Sequence, residues 1–523
     1  MKKIVCQKDD FSEWYNQVIQ ESGLSECSDV RGCMILKPYG YSLWENIKKI
    51  LDEKIKSTGH KNAYFPMFIP KSYFSREASH VAGFAKECAI VTHSRLKEKD
   101  SDIIIDEDSR LEEELIVRPT SETMIWNSYK KWINSYRDLP LKLNQWCNVC
   151  RWEMRTRHFL RTSEFLWQEG HTAHSTREEA FEEVMQMLNV YYDFGKEYLA
   201  IPFIKGRKTE NEKFAGAEET YTIEALMKDG KALQCGTSHL LGQHFSKAFD
   251  VKFLDKNNEL KYVWGTSWGI STRLIGALIM IHGDDRGLIL PPKIAPVQVI
   301  IIPIFKNEDK KNRIQEYLSN IIEVLEKENV RYELDLRDQF TPGYKFNEWE
   351  VKGVPLRIVV GEKDIVNSQL ELVRRDNCEK INIHKDDAVM RIIEMLNDIQ
   401  DNLYKKALDF REKHTFMVDN YEDFKNKIKN KEGFVLANWD GTTETEKLIK
   451  EETQATIRCI PLENNCVENT CVKDSCVENT YVENTCVENT CVENTFVDDN
   501  CVDGKCIKTG KHSSIKVLFA QNY

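Results

Sequence analysis

The chain has 523 residues, of which 41% are hydrophobic, and this length suffices for two to four packed domains. Its formal net charge of -11 excludes a basic field over the whole surface, so any contact with RNA must use local positive patches. No apolar run is long enough to span a membrane, the opening residues become charged too early for a signal peptide, and half of the 16 cysteines are scattered singly up to Cys378. These features predict a cytoplasmic chain without a membrane partner.

The N-terminal segment predicts a short helix and turn over residues 11–30 and a second helix that starts at a capping box, Ser42-Leu43-Trp44-Glu45. Gly59 is expected to end that helix. The following segment, 62–70, has the pattern of a strand interrupted by Pro66. Because proline removes a donor from the strand ladder, this strand suits a sheet edge or a subunit boundary.

Residues 95–114 are densely charged, and we interpret them as a surface loop. The tight sequence Arg118-Pro119-Thr120-Ser121-Glu122 follows. Thr120 and Glu122 straddle the start of a predicted helix that runs to Ile133, where hydroxyl and carboxylate side chains ordinarily cap free amides. On these residues alone, capping explains the pattern.

Two alternating segments flank a basic turn in the middle of the N-terminal half. Cys147–Glu153 and Glu164–Gln168 alternate, and Arg155-Thr156-Arg157-His158 lies between them. This pattern predicts two antiparallel strands joined by a cationic loop. Alternation places Arg151 and Glu153 on one face, and arginines fixed on a sheet suit a polyphosphate because guanidinium binds phosphate oxygens through two donors. A solvated basic hairpin is an equal alternative at this point.

Later segments suggest a helix and two places where a ligand could approach the backbone. A helix is predicted over Thr176–Tyr198, with Thr176 in its capping box. Leu233–His239 is rich in small and polar residues, which allow close approach of a ligand. Glycines and hydroxyls at Trp264–Thr272 precede an apolar helix that starts near Arg273, and the free amides of a helix N-terminus bind anions.

These segments together resemble a known family. Arg151-Trp152-Glu153, the basic loop and an arginine on the next strand resemble motif 2 of the class II aminoacyl-tRNA synthetases. The sequence CNVCRWEMR, followed by FLRTSEFLWQEGHT, is similar in particular to the corresponding segment of the prolyl-tRNA synthetases. The helix, glycine, strand and Pro66 resemble motif 1, and the segment around Arg273 resembles motif 3. The resemblance covers nearly the whole chain.

The resemblance implies an activity and a set of site residues. The activity is ligation of L-proline to tRNA-Pro with ATP and Mg²⁺, by a homodimer that assembles near Pro66. Arg118–Glu122 resembles the loop that holds the secondary ammonium of proline, and Gln234–His239 resembles a family-specific QxGTSH segment. The implied proline pocket consists of Thr120, Glu122, Arg151, Trp167, Phe214 and His239. The implied ATP site consists of Arg151, Glu153, Arg161, Gln234, Thr237 and Arg273, with Arg151 and Arg273 as catalytic residues.

The implied fold class is α+β, in three domains. Residues 1–294 would form a class II catalytic domain on an antiparallel sheet, 295–400 an α/β anticodon-binding domain, and 401–523 a small α+β C-terminal domain. Alternating strand and helix patterns in the middle region themselves indicate an α/β unit with parallel pairing. Residues 384–430 are interpreted as charged helix. Roughly ninety residues separate motifs 2 and 3, which leaves no room for an inserted editing domain.

The C-terminal region contains an insert of five-residue units, CVENT and its variants, at 466–505. Eight units give too few coils for a stable β-solenoid, and every fifth residue is not zinc-ligand spacing. Low-complexity expansion of a tolerant loop is therefore favoured over both. Family members with a structural zinc use four cysteines here, and this chain offers Cys459, Cys501 and Cys506 as weak candidates. The resemblance also implies that Tyr523 packs back towards the active site.

Two other functions are compatible with the same fold. A non-catalytic paralogue would bind tRNA or act as a regulator, and a stand-alone amino-acid activator would serve a carrier protein. The presence of Thr120, Glu122, Arg151 and Arg273 favours an enzyme over the paralogue. The anticodon-like domain favours tRNA charging over service to a carrier protein.

Overall fold

The computed structural model describes residues 4–76, 88–462 and 504–523. Almost all of the insert at 466–505, with Cys501, lies outside these ranges, so the three interpretations of the repeat stay predictions. The described residues form a mixed helix and strand fold with a large antiparallel-rich sheet, which confirms the predicted class. Within these ranges, no helix has the length and apolarity that crossing a bilayer requires.

The N-terminal part of the chain builds most of the central sheet. Its elements are α1 (Phe11–Glu21), β1 (Ser25–Cys27), β2 (Met34–Leu36), α2 (Pro38–Ser57), β3 (Lys61–Asn62), β4 (Phe68–Pro70), α3 (Lys71–Ser75), β5 (Ile90–His93), β6 (Leu96–Lys99), β7 (Asp102–Ile105), β8 (Arg110–Val117), α4 (Glu122–Trp132), β9 (Leu141–Cys150), β10 (Glu164–His174), α5 (Arg177–Phe194), β11 (Ile204–Arg207), β12 (Glu219–Leu226), β13 (Ala232–Gly242), α6 (His244–Ala248), β14 (Lys252–Leu254), β15 (Leu260–Tyr262), β16 (Trp264–Ser271) and α7 (Arg273–His282).

The middle part of the chain has its own sheet and core. Its elements are β17 (Val299–Pro303), α8 (Glu308–Lys327), β18 (Tyr332–Leu334), α9 (Pro342–Val351), β19 (Leu356–Val360), α10 (Glu362–Val366), β20 (Gln369–Arg374) and β21 (Lys380–His384). The predicted parallel pairing is confirmed for β17 with β18 and β19. β20 and β21 pair antiparallel instead, because the connections at 361–368 and 375–379 are too short for a parallel crossover.

The C-terminal part extends the central sheet. Its elements are α11 (Ala388–Lys413), β22 (Thr415–Met417), α12 (Tyr421–Lys429), β23 (Phe434–Trp439), α13 (Thr443–Thr453), β24 (Thr456–Pro461), β25 (Gly504–Lys505), β26 (His512–Ser513) and β27 (Ile515–Ala520). The sheet order is β22-β23-β27-β24-β11-β12-β13-β16-β10-β9-β3. The continuous helix predicted over 384–430 is wrong, because β22 interrupts it and Asn420 caps a new helix.

The predicted antiparallel hairpin is confirmed as β9 and β10, next to the edge strand β3, but β9 ends at Cys150, so the expected placement of Arg151 and Glu153 on one strand face is wrong. β10 pairs antiparallel with β9 on one side and with β16 on the other, so that Trp167 lies opposite both Cys147 and Ser271. β13 pairs with the far edge of β16. Three strands that are distant in sequence, β10, β16 and β13, therefore lie side by side in the sheet.

Helix starts show where capping chemistry predicts the fold and where it fails. Thr176 caps α5 by accepting from the amide of Glu179 at 3.2 Å, as predicted, and a π turn continues this helix from Gly195 to Leu199. The capping box predicted at Ser42 is wrong, because α2 begins at Pro38 and Ser42 lies one turn inside it. Proline suits a first helical position because its missing N–H would have no intrahelical acceptor there.

Residues 95–114 are strands, so the predicted surface loop is wrong. They form the β6–β7 hairpin and the first part of β8, which pairs with β4 and β5. Leu96 of β6 and Ile103 of β7 are each 67% exposed. Because both faces of this hairpin meet solvent, charged residues replace the apolar alternation that a strand prediction needs.

Lys208, Glu224 and Arg458 form a buried ion cluster that joins the C-terminal part to β12. Glu224 is fully buried and accepts from Lys208 Nζ at 2.8 Å and from Arg458 Nη2 at 2.9 Å. Burial by itself raises the pKa of Glu224, but the charges of Arg458 and Lys208 outweigh burial and hold that pKa below its ordinary value. The carboxylate is therefore stable in the core only with its cations present.

We expect Arg458→Met to lower the free energy of unfolding by about 3 kcal/mol, because it leaves a buried carboxylate with one cation. Urea denaturation at neutral pH measures this loss. A carboxylate with a depressed folded pKa contributes stability above its unfolded pKa and loses it as pH falls through the folded pKa, so the difference from the parent should shrink in acid.

The matched control is Lys450→Met, which removes an exposed pair with Glu212 at 3.1 Å between the same two parts of the chain. Surface pairs contribute at most about 1 kcal/mol, so this change should be nearly silent. Equal losses from the two substitutions would contradict the stabilising role of the buried cluster.

Candidate active site

A cavity of about 370 Å³ opens over β10, β13 and β16. Its wall also contains the loop that precedes α4, the segment 212–215 and the first residue of α7. Most of the predicted site residues line this cavity, namely Thr120, Glu122, Arg151, Trp167, Phe214, Gln234, Thr237, His239 and Arg273. Segments that are remote in sequence thus meet around one space large enough for a small-molecule ligand.

The odd-numbered residues of β10 form one wall of the cavity. Phe165, Trp167, Glu169 and His171 all line it, because alternate side chains of a strand point to the same face. The sequence prediction identified only Trp167 among them. Extending the same alternation in both directions along the strand would have found the other three.

Arg151 is held in place by the backbone and by an aromatic ring. Its Nε donates to the carbonyl of Pro119 at 2.9 Å, and its guanidinium carbon lies 5.2 Å from the ring centre of Trp167. Burial is the main cause that lowers the pKa of Arg151 to about 10, and the charge of Arg273 acts in the same direction. Arg151 is therefore still a cation at neutral pH, fixed in position for an anionic ligand.

Arg118 fixes the loop that carries Thr120 and Glu122. The buried guanidinium donates to the carbonyl of Asn148 at 2.7 Å and to that of Phe65 at 2.8 Å. Thr120 Oγ1 donates to the carboxylate of Glu122, which is only 3% exposed. A buried carboxylate supported by a hydroxyl can pair with a cationic amine on a ligand.

A second carboxylate, Glu169, organises the cavity floor. One oxygen accepts from Gln145 Nε2 at 2.7 Å and from Ser121, and the other lies 3.0 Å from His171 Nε2. Burial alone would lower the pKa of His171, but its hydrogen bond to Glu169 and the nearby carboxylate charges outweigh burial and raise that pKa. His171 Nδ1 is buried without a hydrogen-bond partner in the described residues, so it can bond to a ligand.

Phe214 and His239 form an apolar wall opposite. Their ring centres are 4.5 Å apart. Thr220 Oγ1 accepts from the Phe214 amide at 3.0 Å and lies 3.0 Å from His239 Nδ1. Burial, with a smaller effect from the charge of His171, lowers the pKa of His239 to about 3, so this imidazole is neutral at physiological pH. A neutral ring does not repel a cationic amine.

Arg273 lies at the N-terminus of α7, where the predicted helix starts. Its Nη1 donates to the carbonyl of Gln234 at 3.3 Å and its Nε to that of Leu160 at 3.2 Å. Burial is the main cause that lowers the pKa of Arg273. Two fixed guanidinium groups, those of Arg151 and Arg273, thus face one cavity beside a helix N-terminus, an arrangement that suits a polyphosphate.

Three family models match successive parts of this chain. They are described as tRNA synthetase class II core domain (G, H, P, S and T) over residues 104–282, Anticodon binding domain over 298–395, and Prolyl-tRNA synthetase, C-terminal, over 421–523. The chain is also 60% identical to a protein named Proline--tRNA ligase from Amoebophilus asiaticus, over 89% of this chain and 95% of that protein.

The chain belongs to the prolyl-tRNA synthetases. Relatives with the same name from Cytophaga hutchinsonii and Phocaeicola vulgatus are each 58% identical to it, over 88% of this chain and over 95% and 94% of their own lengths. These comparisons confirm the predicted family, the class II fold and the ligase class.

Two residues predicted for the ATP site of this synthetase do not line the cavity. Glu153 and Arg161 lie in the hairpin loop and pair with each other at 3.6 Å. The charge of Arg161 nevertheless contributes to the lowered pKa of Arg273, so it reaches the site electrostatically. The assignment of Glu153 and Arg161 to ATP stays a prediction that needs a change of side-chain rotamer, a common event when a ligand binds.

The zinc prediction depends on a residue that the structure does not describe. In residues 4–76, 88–462 and 504–523, no three potential metal-binding side chains come together. Cys459 lies in an apolar cluster of the central sheet, and Cys506 is buried as well. Because a structural zinc needs four ligands, Cys459 and Cys506 cannot form a site without residues from elsewhere, and Cys501 lies outside the described ranges.

The last residue of this synthetase returns to the catalytic part, in agreement with the sequence analysis. Tyr523 Oη donates to Asp229 at 2.5 Å. The Tyr523 ring centre lies 5.0 Å from the guanidinium carbon of Arg157 and 4.7 Å from Lys231 Nζ. Arg157 belongs to the basic loop of the hairpin, so the chain terminus contacts the motif 2 loop directly.

Proposed function

We propose that this chain activates L-proline with ATP and transfers the proline to tRNA-Pro. The observation that carries the proposal is the meeting of Glu122, Arg151 and Arg273 around one cavity. A carboxylate next to fixed guanidinium groups fits a reaction between an amino acid and a polyphosphate. The relatives named Proline--tRNA ligase support the same reaction.

The acidic end of the cavity is the proposed proline site. The carboxylate of Glu122, supported by Thr120, accepts hydrogen bonds from the secondary ammonium of proline. The guanidinium of Arg151 pairs with the carboxylate of proline. The neutral imidazole of His239 adds apolar surface without a competing charge. The five-membered ring is enclosed by aromatic groups, those of Trp167, Phe214 and His239.

The cationic end of the cavity is the proposed ATP site. A carboxylate oxygen of proline attacks the α-phosphorus, the bond from that phosphorus to the bridging oxygen breaks, and pyrophosphate leaves, so that prolyl-adenylate remains. Arg151 and Arg273 stabilise the negative charge that develops, which is the main demand of phosphoryl transfer. Mg²⁺ would enter as part of the ATP substrate and would add positive charge at the phosphates, beside Arg151 and Arg273. The other proposed nucleotide contacts are Glu153, Arg161, Gln234 and Thr237.

The second step delivers the activated proline to RNA. The terminal ribose hydroxyl of tRNA-Pro attacks the carbonyl of prolyl-adenylate, and AMP leaves. The basic hairpin loop at 155–158 follows Arg151 closely in the chain, and its positive charge is suited to the acceptor end. The middle part of the chain, residues 298–395, matches the anticodon-binding family. Its separate α/β sheet is the proposed contact with the anticodon.

Proline-dependent ATP–pyrophosphate exchange, followed by charging of tRNA-Pro, tests this function. We expect both activities. Exchange without charging would favour the carrier-protein activator, and failure of both would favour the non-catalytic paralogue.

Alanine, used in place of proline in the same assay, tests the selectivity of the proposed proline pocket. A pocket that admits proline also admits alanine, and a difference of one or two methylenes discriminates only about 10–200-fold. We therefore expect weak alanine-dependent exchange and measurable alanyl-tRNA-Pro. Rapid hydrolysis of alanyl-tRNA-Pro by the purified protein would contradict the interpretation that the chain lacks an editing site.

We further propose a homodimer through the segment around Pro66. This segment presents exposed aromatic side chains, with Tyr64 72% exposed and Phe68 44% exposed. Trp132, whose ring lies 5.9 Å from that of Phe65, is 48% exposed next to them. Aromatic groups of this kind are enriched at protein interfaces. Sedimentation equilibrium measures the oligomeric state.

A further inference from the structure

A second cavity, of about 290 Å³, lies where three parts of the chain meet. The catalytic part contributes the end of β12 and the last residues of α7, and α11 contributes one side of the wall. The middle part contributes Asp376. We call this space the junction cavity. It shares no lining residue with the candidate active site.

Much of the junction cavity wall is apolar. Leu226, Ile281, Ile289, Leu403 and Phe410 line it. A volume near 300 Å³ is at the lower end of the range for small-molecule sites. The space therefore fits a compact organic molecule.

Three cations also line the junction cavity, and none of them has a carboxylate within salt-bridge distance in the described residues. Lys228 Nζ donates to the carbonyl of Gly283 at 2.6 Å, and Lys406 Nζ to that of Asp376 at 2.9 Å. Arg411, which is buried, donates through Nη1 to the carbonyls of Phe203 at 3.2 Å and Pro202 at 3.3 Å. Carbonyl groups satisfy these donors in part but do not neutralise their charge.

The acidic groups of the wall offset this positive charge only in part: the charge of Asp284 raises the pKa of Lys228, but burial outweighs it and lowers that pKa to about 8. Asp284 is engaged by Arg375 at 2.6 Å, and Asp376 by Arg374 at 2.9 Å, each through two hydrogen bonds. His282 is neutral, because burial lowers its pKa to about 4. The wall therefore keeps an excess of positive charge next to apolar surface.

We propose that the junction cavity binds a small organic anion, with a carboxylate or phosphate group on a short apolar body. Arg411 is buried, Lys228 is partly buried and Lys406 is exposed, so an anion among them would meet two cations that are partly or fully withdrawn from water and would form charge-assisted hydrogen bonds with all three. The apolar body would fill the space beside Leu403 and Phe410.

The position of this site links it to the rest of the molecule. Helix α7 begins with Arg273 at the candidate active site and ends with His282 at the junction cavity. Helix α11 follows the middle part and leads into the C-terminal part. An occupant that contacts all three parts stabilises their association, and ligand linkage should then raise the melting temperature.

Hexanoate is the test ligand, because it combines one carboxylate with a short apolar chain, and hexanamide is its uncharged match. Differential scanning fluorimetry and isothermal titration calorimetry of the full chain are carried out with saturating proline, which occupies the proposed amino-acid site. We expect hexanoate to bind saturably and to raise the melting temperature, with no effect from hexanamide. Equal binding of both compounds, or no saturable binding of hexanoate while proline occupies its own site, would overturn the proposal.

Substitutions in α11 locate the binding. Lys406→Met removes a charge at roughly constant length, Lys406→Arg keeps the charge, and Lys405→Met changes an exposed lysine that does not line the cavity. Ala407→Leu fills the space with every charge intact. We expect Lys406→Met and Ala407→Leu each to weaken hexanoate binding by about tenfold or more, and the other two to leave it within about twofold. Full binding by both Lys406→Met and Ala407→Leu would exclude this cavity.

Discussion

Arg151→Ala is expected to reduce proline-dependent ATP–pyrophosphate exchange by two or more decades. Loss of one fixed donor at a developing charge costs about 100- to 1000-fold in comparable sites. Arg273 is held by the carbonyls of Gln234 and Leu160, so its guanidinium is not expected to take over the position of Arg151. The loss should appear in kcat as well as in the KM for proline, because the same guanidinium receives the substrate carboxylate and the α-phosphate.

The matched control is Arg155→Ala, which removes an exposed arginine from the loop of the same hairpin. Exchange does not involve tRNA, so this change should stay within about twofold of the parent. Thermal denaturation of Arg151→Ala checks that loss of the bond to Pro119 leaves the fold intact. Near-normal exchange by Arg151→Ala would refute its proposed role.

The fold could be predicted where one face of an element is buried. The apolar stripes of α5 and α7 and the alternation of β9 and β10 are direct consequences of packing, and each was found from the sequence. The β6–β7 hairpin was missed because neither face packs into a core, so its sequence contains no alternation to detect. The pairing of β24 with β11 was also not predicted, because long-range strand partners depend on packing between segments remote in sequence.

The residues of the candidate site could be predicted where they lie in short contiguous motifs, and not where they depend on contacts between remote segments. Thr120, Glu122 and Arg273 were predicted from the family resemblance of short contiguous motifs, since the helix starts near them indicate only capping or anion binding when taken alone. Glu169 and His171 were missed, although they continue the strand that contains Trp167. Their network with Ser121 and Gln145 joins three separate segments, and local sequence does not contain such contacts.

Glu122→Gln is expected to raise the KM for proline by about 100-fold or more. The change keeps the shape of the side chain but removes the charge that faces the substrate ammonium. Breaking one side of a buried ion pair costs about 3–5 kcal/mol, which corresponds to two or more decades in binding. The KM for ATP should change little, because the guanidinium groups at the cationic end of the cavity remain.

Steady-state exchange at varied proline and varied ATP separates the two effects, and Glu164→Gln, an exposed carboxylate at the start of β10, is the matched control. The charge of Glu122 also raises the pKa of Arg151, so Glu122 could act instead by keeping Arg151 charged. If Glu122 acted only by supporting Arg151, Glu122→Gln would lower kcat and leave the KM for proline unchanged. That outcome would contradict direct recognition of the ammonium, whereas a selective rise in the KM for proline would support it.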